Sequence, residues 1–556
     1  MTKAEVDALA TTIVEVASIT SHEESQPDIG EACTTKQIDE KEEDQNHPKG
    51  IKFALLYTCI LLGCFLVGYD NACLAVLAPV ITDDFNALTN IGWYAVAYLL
   101  SMSGTLLIYG KLYSFYSMKR MFLGSLSIFL VGNIVTASAP TSPVFIFGRA
   151  LSGLGAAGVF AGGSILIAHT TTLQQRPLYI ATMGSVECTA LATGPLIAGA
   201  IAHAANWRLC FYICIPITVF IMITVFLCVG DIRISEYQGL NGKEKRQRMD
   251  LPGSAVILMA APCLVLGLEW AGTTYAWANW RIVLLFTLAG ILSLVFIYAE
   301  YRAGDNGIVP LKMVRRRTVA LSGIVVFCNV GALSVIAYYI AIYFQAVRGA
   351  TTLGSGIMYL PLAVSMAITA LLGGKLTSFI GYANPTLLLG AALEIVGSAL
   401  MTTLQPNTPA VKWIIYQIVY GIGIGLGFQP PYVAVQATLK SSEIPTALTT
   451  LAFLQTNGGI VILGIAGNVF FTRLSRNLEA AVPTLDAATV LSGGALNVVR
   501  SVPEKYREQA LEAYSATLSN VFYISLALSC VIGVCALGIE WKSIKEKKQS
   551  EEGGEA

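Results

Sequence analysis

Gly184-Ser-Val-Glu-Cys-Thr-Ala-Leu-Ala-Thr-Gly-Pro-Leu-Ile-Ala-Gly199 lies inside an apolar run from about Leu178 to His203. That run is long enough to cross a bilayer at roughly 20 residues per span. Gly184, Gly194 and Gly199, with Ala190, Ala192 and Ala198, make a smooth strip on which another helix can pack closely. Pro195 removes a backbone donor and can bend the helix at that strip. Glu187 sets an ionisable group deep in the run, which costs at least roughly 2.5–3.5 kcal/mol unless it meets a partner or water. A bent helix with a bare packing face and a buried carboxyl suits a moving part better than a passive anchor.

The rest of the chain supports a membrane setting. Of 556 residues, 55% are hydrophobic and only 13% charged, against about 25% charged in soluble domains. Apolar runs recur at approximately 52–81, 91–109, 121–138, 143–171, 178–203, 208–230, 251–270, 281–300, 318–347, 353–373, 385–404, 411–438, 445–474 and 516–540. These are about fourteen spans, and they predict an all-α polytopic membrane protein. The twelve cysteines form no Cys-x-x-Cys pair and no Cys/His cluster, so they read as small buried apolar residues rather than metal ligands or disulfides.

Lys and Arg crowd alternate short loops: Lys111, Lys119 and Arg120; Arg176; Arg233 to Arg248; Arg302 to Arg317. The intervening short loops hold about one basic residue each, so both tails are expected in the cytosol. All seven tryptophans fall at span ends, where an amphipathic ring belongs. Residues 1–51 make an acidic cytosolic tail expected to be disordered, without the basic n-region of a signal peptide. Two basic linkers bracket an insert of two spans over 231–317. Removing it leaves six spans over 52–230 and six over 318–540, the second set with an outer loop at 475–515 and then a cytosolic tail over 541–556. Two helical halves with a path between them is the plan of transporters built from repeats.

Several residues carry chemistry within that plan. Asp70 and Glu187 are intramembrane acids, and a carboxyl removed from water exchanges protons readily. The alternative is a carboxylate satisfied by neighbouring backbone or hydroxyls. Arg149, about a turn and a half inside the outer end of its span, either snorkels to the interface or pairs with a buried acid and competes with a proton for it; the sequence leaves Asp70 and Glu187 both open as that acid. Tyr338, Tyr339, Tyr343 and Gln345, with Gln429, Gln455 and Asn457, supply aromatic walls and neutral polar groups suited to a bulky organic substrate. Interhelical packing is the competing account of each. Gly421-Ile-Gly-Ile-Gly-Leu-Gly427 lies inside a span with no preceding strand, so it fails the context test for nucleotide binding. There is no Gly-x-x-x-x-Gly-Lys-[Ser/Thr] motif, and nothing points to ATP or nucleic acid.

The chain resembles the major facilitator superfamily, and within it the fourteen-span drug:proton antiporters of filamentous fungi. Six stretches between Phe53 and Trp541 carry the likeness: Gly68 to Ile81, Gly110 to Arg120, Gly148-Arg-Ala-Leu-Ser-Gly-Leu-Gly-Ala-Ala-Gly158, the opening stretch around Gly194-Pro195, Trp207 to Pro216, and Ala337 to Val347. The Gly194-Pro195 motif is the one associated with exporters. The resemblance implies a major facilitator fold of two six-helix bundles plus two central spans. It also implies conformational roles for Gly110, Lys119, Arg120, Gly153, Gly194, Pro195 and Gly199. Two departures matter: Ser114 stands where the span 2–3 loop usually carries a latching aspartate, and Glu187 and Cys188 occupy positions that are usually neutral or small.

The expectation is a secondary exporter of bulky amphipathic molecules that exchanges them for protons by alternating access, working as a monomer in the plasma membrane without a cofactor. A vacuolar or vesicle membrane is the alternative location. A fourteen-span importer of siderophores or nutrients and a non-transporting sensor are the competing functions. A prenyltransferase would need a third acid after Asp83-Asp84, which is absent.

Overall fold

The computed structural model describes residues 50–85, 91–172, 175–228, 230, 244, 250–271, 275, 277–304, 307–440, 442–481 and 504–543. The acidic tail, nearly all of linker 231–249, the middle of the 475–515 loop and the last residues lie outside the described set. Among the described residues, thirteen helices are long and apolar enough to cross a membrane, and a shorter apolar stretch, Pro252–Leu268, lies within the helix Leu251–Trp270. Together they supply the expected fourteen spans.

Span 1 is Ile51–Ala72 continued by Leu74–Phe85, span 2 Ile91–Phe115, span 3 Met118–Ala137, span 4 Ser142–Thr170 and span 5 Arg176–Ala204. Span 6 is Arg208–Tyr212 continued by Cys214–Cys228; the inserted spans 7 and 8 are Leu251–Trp270 and Trp280–Ala303. Span 9 is Arg317–Ile342 with a π-helical turn at Tyr343–Val347, span 10 Thr352–Ile380 and span 11 Asn384–Met401. Span 12 is Ala410–Phe428 continued by Pro430–Thr438, span 13 Ile444–Ala481 and span 14 Arg507–Gly538. We call "inner" the end that carries the basic connections.

Local chemistry sets these limits. Ser117, Asp250, Asn279 and Thr351 each cap a helix start with a side-chain oxygen, satisfying donors that the first turn leaves free. Gly381 ends span 10 at φ 84°, a left-handed conformation that glycine adopts without a Cβ penalty. Pro216 and the Pro430-Pro431 pair break spans 6 and 12, because each proline lacks an N–H and crowds the carbonyl four residues earlier. Pro195, expected to bend span 5, lies inside one unbroken helix.

The expected outer loop over 475–515 is helical at both ends: span 13 continues to Ala481 and span 14 includes the residues from Arg507 onward, and the two ends pack together through Leu474, Leu478, Ala510, Tyr514 and Leu518. Asn477 donates to Thr517 at 2.9 Å. Hydropathy falls where Arg473, Arg476 and Glu479 begin, but a helix needs only one apolar face to continue.

The two halves repeat one packing device. Spans 3 and 4 meet where a Cβ on Gly155 would overlap the backbone of Phe129, and spans 11 and 12 meet where a Cβ on Gly423 would overlap that of Glu394. Close backbone approach through small residues is the usual basis of helix association in lipid. At the inner ends a single apolar core crosses from one half to the other, joining Tyr113, Met118 and Ile165 to Leu439, Ile444 and Leu448. Gly110 of span 2 abuts Thr449 of span 13 so closely that a Cβ would overlap its hydroxyl. Span 7 lies along this junction, touching Gly104 of span 2 through Leu258 and Gly464 of span 13 through Leu268. Span 8 turns Leu284, Ile291, Leu294, Ile297 and Tyr301 outward, as a lipid-facing helix does.

Gly153 tests the packing. A Cβ there would overlap the Tyr98 carbonyl of span 2, whereas Gly124 has nothing within 4 Å. Gly153→Ala is expected to cost about 1–3 kcal/mol as an overpacked contact, and Gly124→Ala to cost nothing. Thermal unfolding of the purified protein in detergent checks this. Equal melting temperatures for the two variants would contradict the close span 2–span 4 approach.

Candidate functional site

Arg149 does not snorkel. It is fully buried, and its Nη1 donates to Asp70 Oδ2 at 2.9 Å in an ion pair with no exposure on either side. Its Nε donates to the Tyr94 carbonyl at 3.2 Å. The guanidinium lies over the Tyr98 ring at 4.4 Å and near Phe211 at 5.9 Å. Spans 1, 2, 4 and 6 thus converge on one cation. Two aromatic faces favour it electrostatically by about 2 kcal/mol or more when desolvated, and Tyr98 is itself fixed by donating to the Val67 carbonyl at 3.2 Å. Among the described residues the cradle is incomplete: Asp70 Oδ1 and Arg149 Nη2 have no hydrogen-bond partner. Of the two acids open to Arg149 in the sequence, the structure supplies Asp70.

Glu187 is placed differently. It is half-buried, and among the described residues no hydrogen bond or ion pair reaches its carboxyl. It lies within electrostatic reach of Cys64 on span 1 and Tyr432 on span 12, hence between the halves. The Tyr432 hydroxyl donates to Gln455 Oε1 on span 13. Nearby, Asn457 donates to Ser103 of span 2 at 2.8 Å, and the Ser185 hydroxyl donates to the Ala367 carbonyl of span 10 at 2.9 Å. Gln429, at the Pro430 break, presses its amide on Gly184 of span 5. Gln429, Gln455 and Asn457 therefore gather with Glu187 where the halves meet.

Val326, Asn329, Val330, Gly427, Phe428 and Gln455 line a narrow crevice there, too tight to hold a small molecule. Both amide atoms of Asn329, 2% exposed, are without partners among the described residues.

The sequence matches the profile of the Major Facilitator Superfamily over residues 60–463. The chain belongs to that superfamily. It is 36% identical over 512 residues to the efflux pump aflT of Aspergillus parasiticus, covering 92% of this chain and 100% of that one. Against the thioclapurine efflux transporter tcpA of Claviceps purpurea it is 33% identical over 530 residues, covering 95% and 98%. Its fold is similar to that of the proton:xylose symporter XylE, with a TM-score of 0.55 at 15% identity, covering 89% of this chain and 98% of XylE. It is a multi-pass membrane protein and an efflux transporter of the fungal major facilitator group.

The superfamily motifs are distributed through this frame. Gly110 abuts Thr449 across the halves. Lys119 donates to the Phe226 carbonyl at 2.8 Å, at the inner end of span 6, where a cation meets free carbonyls favourably. Arg120 is exposed. Gly194 lies against span 1, where a Cβ would come within 2.9 Å of Ala72. Pro195 and Gly199 are half-buried on the same helix. Ser114 returns its hydroxyl to the Gly110 carbonyl of its own helix at 2.9 Å.

The tyrosine cluster of span 9 faces elsewhere. Tyr339 packs on Phe470, Tyr343 donates to the Gln405 carbonyl at 2.7 Å, and Gln345 donates to Ser355 at 2.9 Å, all within the second half. Tyr338 is 54% exposed. The structure does not bring these four to the junction of the halves.

Buried acids escaped the sequence reading, among them one in the middle of a span of the second half. Glu394 of span 11 is fully buried and accepts from Ser529 at 3.0 Å, beside a ladder of Ser398, Ser525 and Ser529 hydroxyls. A lone acid inside an apolar span was the signal available for it.

The Asp70–Arg149 pair makes an asymmetric prediction. Removing one partner of a buried pair typically costs about 3–5 kcal/mol, but a stranded carboxyl can discharge by binding a proton and a guanidinium cannot. Asp70→Asn is therefore expected to lower thermal stability more than Arg149→Gln, and the double variant to recover at least about 1 kcal/mol relative to the sum. Additive losses in a double-mutant cycle would count against the pair.

Proposed function

We propose that this transporter exports bulky, partly apolar secondary metabolites or toxins in exchange for protons, by alternating access of its two halves. The observation that carries this reading is the sealed Asp70–Arg149 pair. Protonation of Asp70 removes its attraction for Arg149, whose charge must then find other partners among the spans that cradle it. A proton and a guanidinium competing for one carboxylate is a coupling device. Glu187, half-buried at the junction and without a partner among the described residues, is the second proton-coupling acid. Gln429, Gln455 and Asn457 contact the substrate, next to a broken helix of the kind that forms transporter sites near the bilayer midplane. Tyr338, Tyr339, Tyr343 and Gln345 support the second half from outside that junction.

The names of these relatives support the substrate class. Besides tcpA, an aspyridones efflux protein of Neocamarosporium betae is 35% identical over 503 residues. The protein acts as a monomer without a cofactor, the proton gradient supplying energy. Its domains follow the division given above: a first half over 52–230, the insert with its linkers over 231–317, and a second half over 318–540. Both termini face the cytosol, from the basic inner loops, and the plasma membrane is the site of export.

The test is accumulation of a panel of lipophilic dyes in yeast lacking its own pumps, with and without a protonophore. Expression is expected to lower accumulation at least about twofold, and collapse of the gradient to restore it. The neutral double variant Asp70→Asn/Arg149→Gln, present at normal levels, is expected to lose the response to the protonophore. Export that ignores the gradient in the unaltered protein would refute proton coupling.

A further inference from the structure

We propose that Lys111 is a positioning residue of the transport cycle: its ammonium fastens the inserted pair of spans to the inner junction of the two halves and so holds that junction closed. This rests on alternating access, but on neither proton coupling nor the direction of transport.

Lys111 follows Gly110 on span 2 and is 7% exposed. The carboxyls of Glu300, at the inner end of span 8, and Asp250, at the start of span 7, act on it electrostatically. These two acids also act on each other. Asp250 is committed to starting span 7, its Oδ1 accepting from Gly253 N–H at 3.0 Å. Glu300, 1% exposed, accepts from the N–H groups of Ile308 and Val309 at 3.1 and 3.0 Å. Glu300 thereby folds the return from span 8 back against the bundle.

The tip of that return is apolar. Ile308 is buried with Leu107 of span 2 and Ile257 of span 7, and Phe296, Val309 and Phe453 pack against the group. Phe453 belongs to span 13, so the return touches both helices whose inner halves meet at Gly110 and Thr449. Leu107 is four residues before Lys111, and Phe453 four after Thr449, which puts each pair on one helix face. The insert is therefore held to the junction twice, by an apolar tip and by a buried charge.

The charge decides whether the grip holds. Two carboxyls that act on each other away from water are relieved by a shared proton or by a cation, and taking the cation away leaves the cluster with more uncompensated charge. Lys111 is the cation of span 2 that both acids reach. Ser114, one turn further on, carries no charge with which to latch the halves, and its hydroxyl is spent on its own helix. When spans 2 and 13 part at the inner end, Phe453 must leave Leu107 and Ile308. The insert thus opposes that opening for as long as Lys111 anchors it.

The full-length protein in inside-out vesicles tests this without a substrate. A cysteine replaces Thr449, which is 1% exposed, and maleimide labelling is measured above the rate of the parent protein lacking that cysteine. Lys111→Met is expected to speed labelling about fivefold or more, while Lys111→Arg, which keeps the charge, stays within about twofold. Ile308→Ala, which loosens the tip without stranding a charge, is expected to speed it about threefold. An unchanged rate for Lys111→Met overturns the proposal, as does a Lys111→Arg variant that labels as fast as Lys111→Met. Should Lys111→Met fail to reach the membrane, Ile308→Ala decides, and an unchanged rate there is a refutation. None of these outcomes bears on whether protons drive export, so the two proposals fail separately.

Discussion

A guanidinium with no exposure to solvent, inside a membrane protein, can persist only if the structure around it is built for it. Arg149 meets that constraint with one carboxylate oxygen, one backbone carbonyl and two aromatic faces. They come from spans 1, 2 and 6, so the first half cannot shift any of spans 1, 2, 4 or 6 without disturbing the cation. The approach of span 4 to span 2 at Gly153 is what brings the Arg149 side chain within reach of Tyr94 and Tyr98. Close packing and charge placement are in this way one requirement. Among the described residues the second half has no equivalent buried cation; its buried acid, Glu394, is held by serine hydroxyls instead. The halves share a packing plan and differ in electrostatics.

Contacts between the halves are of another kind. Ser103 with Asn457 and Ser185 with the Ala367 carbonyl are neutral hydrogen bonds, each worth only about 0.5–1.5 kcal/mol net. Glycine against threonine or glutamine adds van der Waals contact without interlocking side chains. An interface assembled from such parts can open without stranding a charge, which a rocking mechanism requires. The Asp70–Arg149 ion pair lies inside a half, and neutral hydrogen bonds and apolar contacts, the shared inner core included, lie where the halves meet.

Much of this was legible in the sequence, for physical reasons that also explain the failures. Span number follows from bilayer thickness, which acts on composition alone, and fourteen apolar helices resulted. The small-residue strip of span 5 was legible because bare helix faces have one use in lipid, and span 1 and Gln429 occupy it. The partner of Arg149 was narrowed to two acids but not chosen, since spacing along the chain says nothing about which spans adjoin. The tyrosines of span 9 show a different limit. Tyr338 and Tyr339 are adjacent, yet one is 54% exposed and the other 2%, because successive residues on a helix point about 100° apart. Residue type identified a plausible wall; only rotation about the helix axis could say what it faces. The break in span 12 was readable from Pro430-Pro431, and its consequence, an amide turned onto span 5, was not.

The two acids of the first half are therefore set up for unequal tasks. Asp70 already has a cation in contact and no access to solvent, so a proton arriving there must displace an internal charge, and the result is a change in how four spans are held. Glu187 is half-buried between the halves and has no partner among the described residues, so on the proposed reading whatever enters that space competes with its proton directly. On the proposed reading, one acid converts protonation into conformational change and the other registers what occupies the junction. Both are needed for exchange: a lone sealed acid could bind and lose protons without regard to substrate, and a lone unpaired acid at the junction could trade protons for substrate without altering the packing of the bundle. Their separation onto spans 1 and 5, which pack together through Gly68, Ala190, Ala72 and Gly194, lets a change at one be felt at the other through helix contact alone.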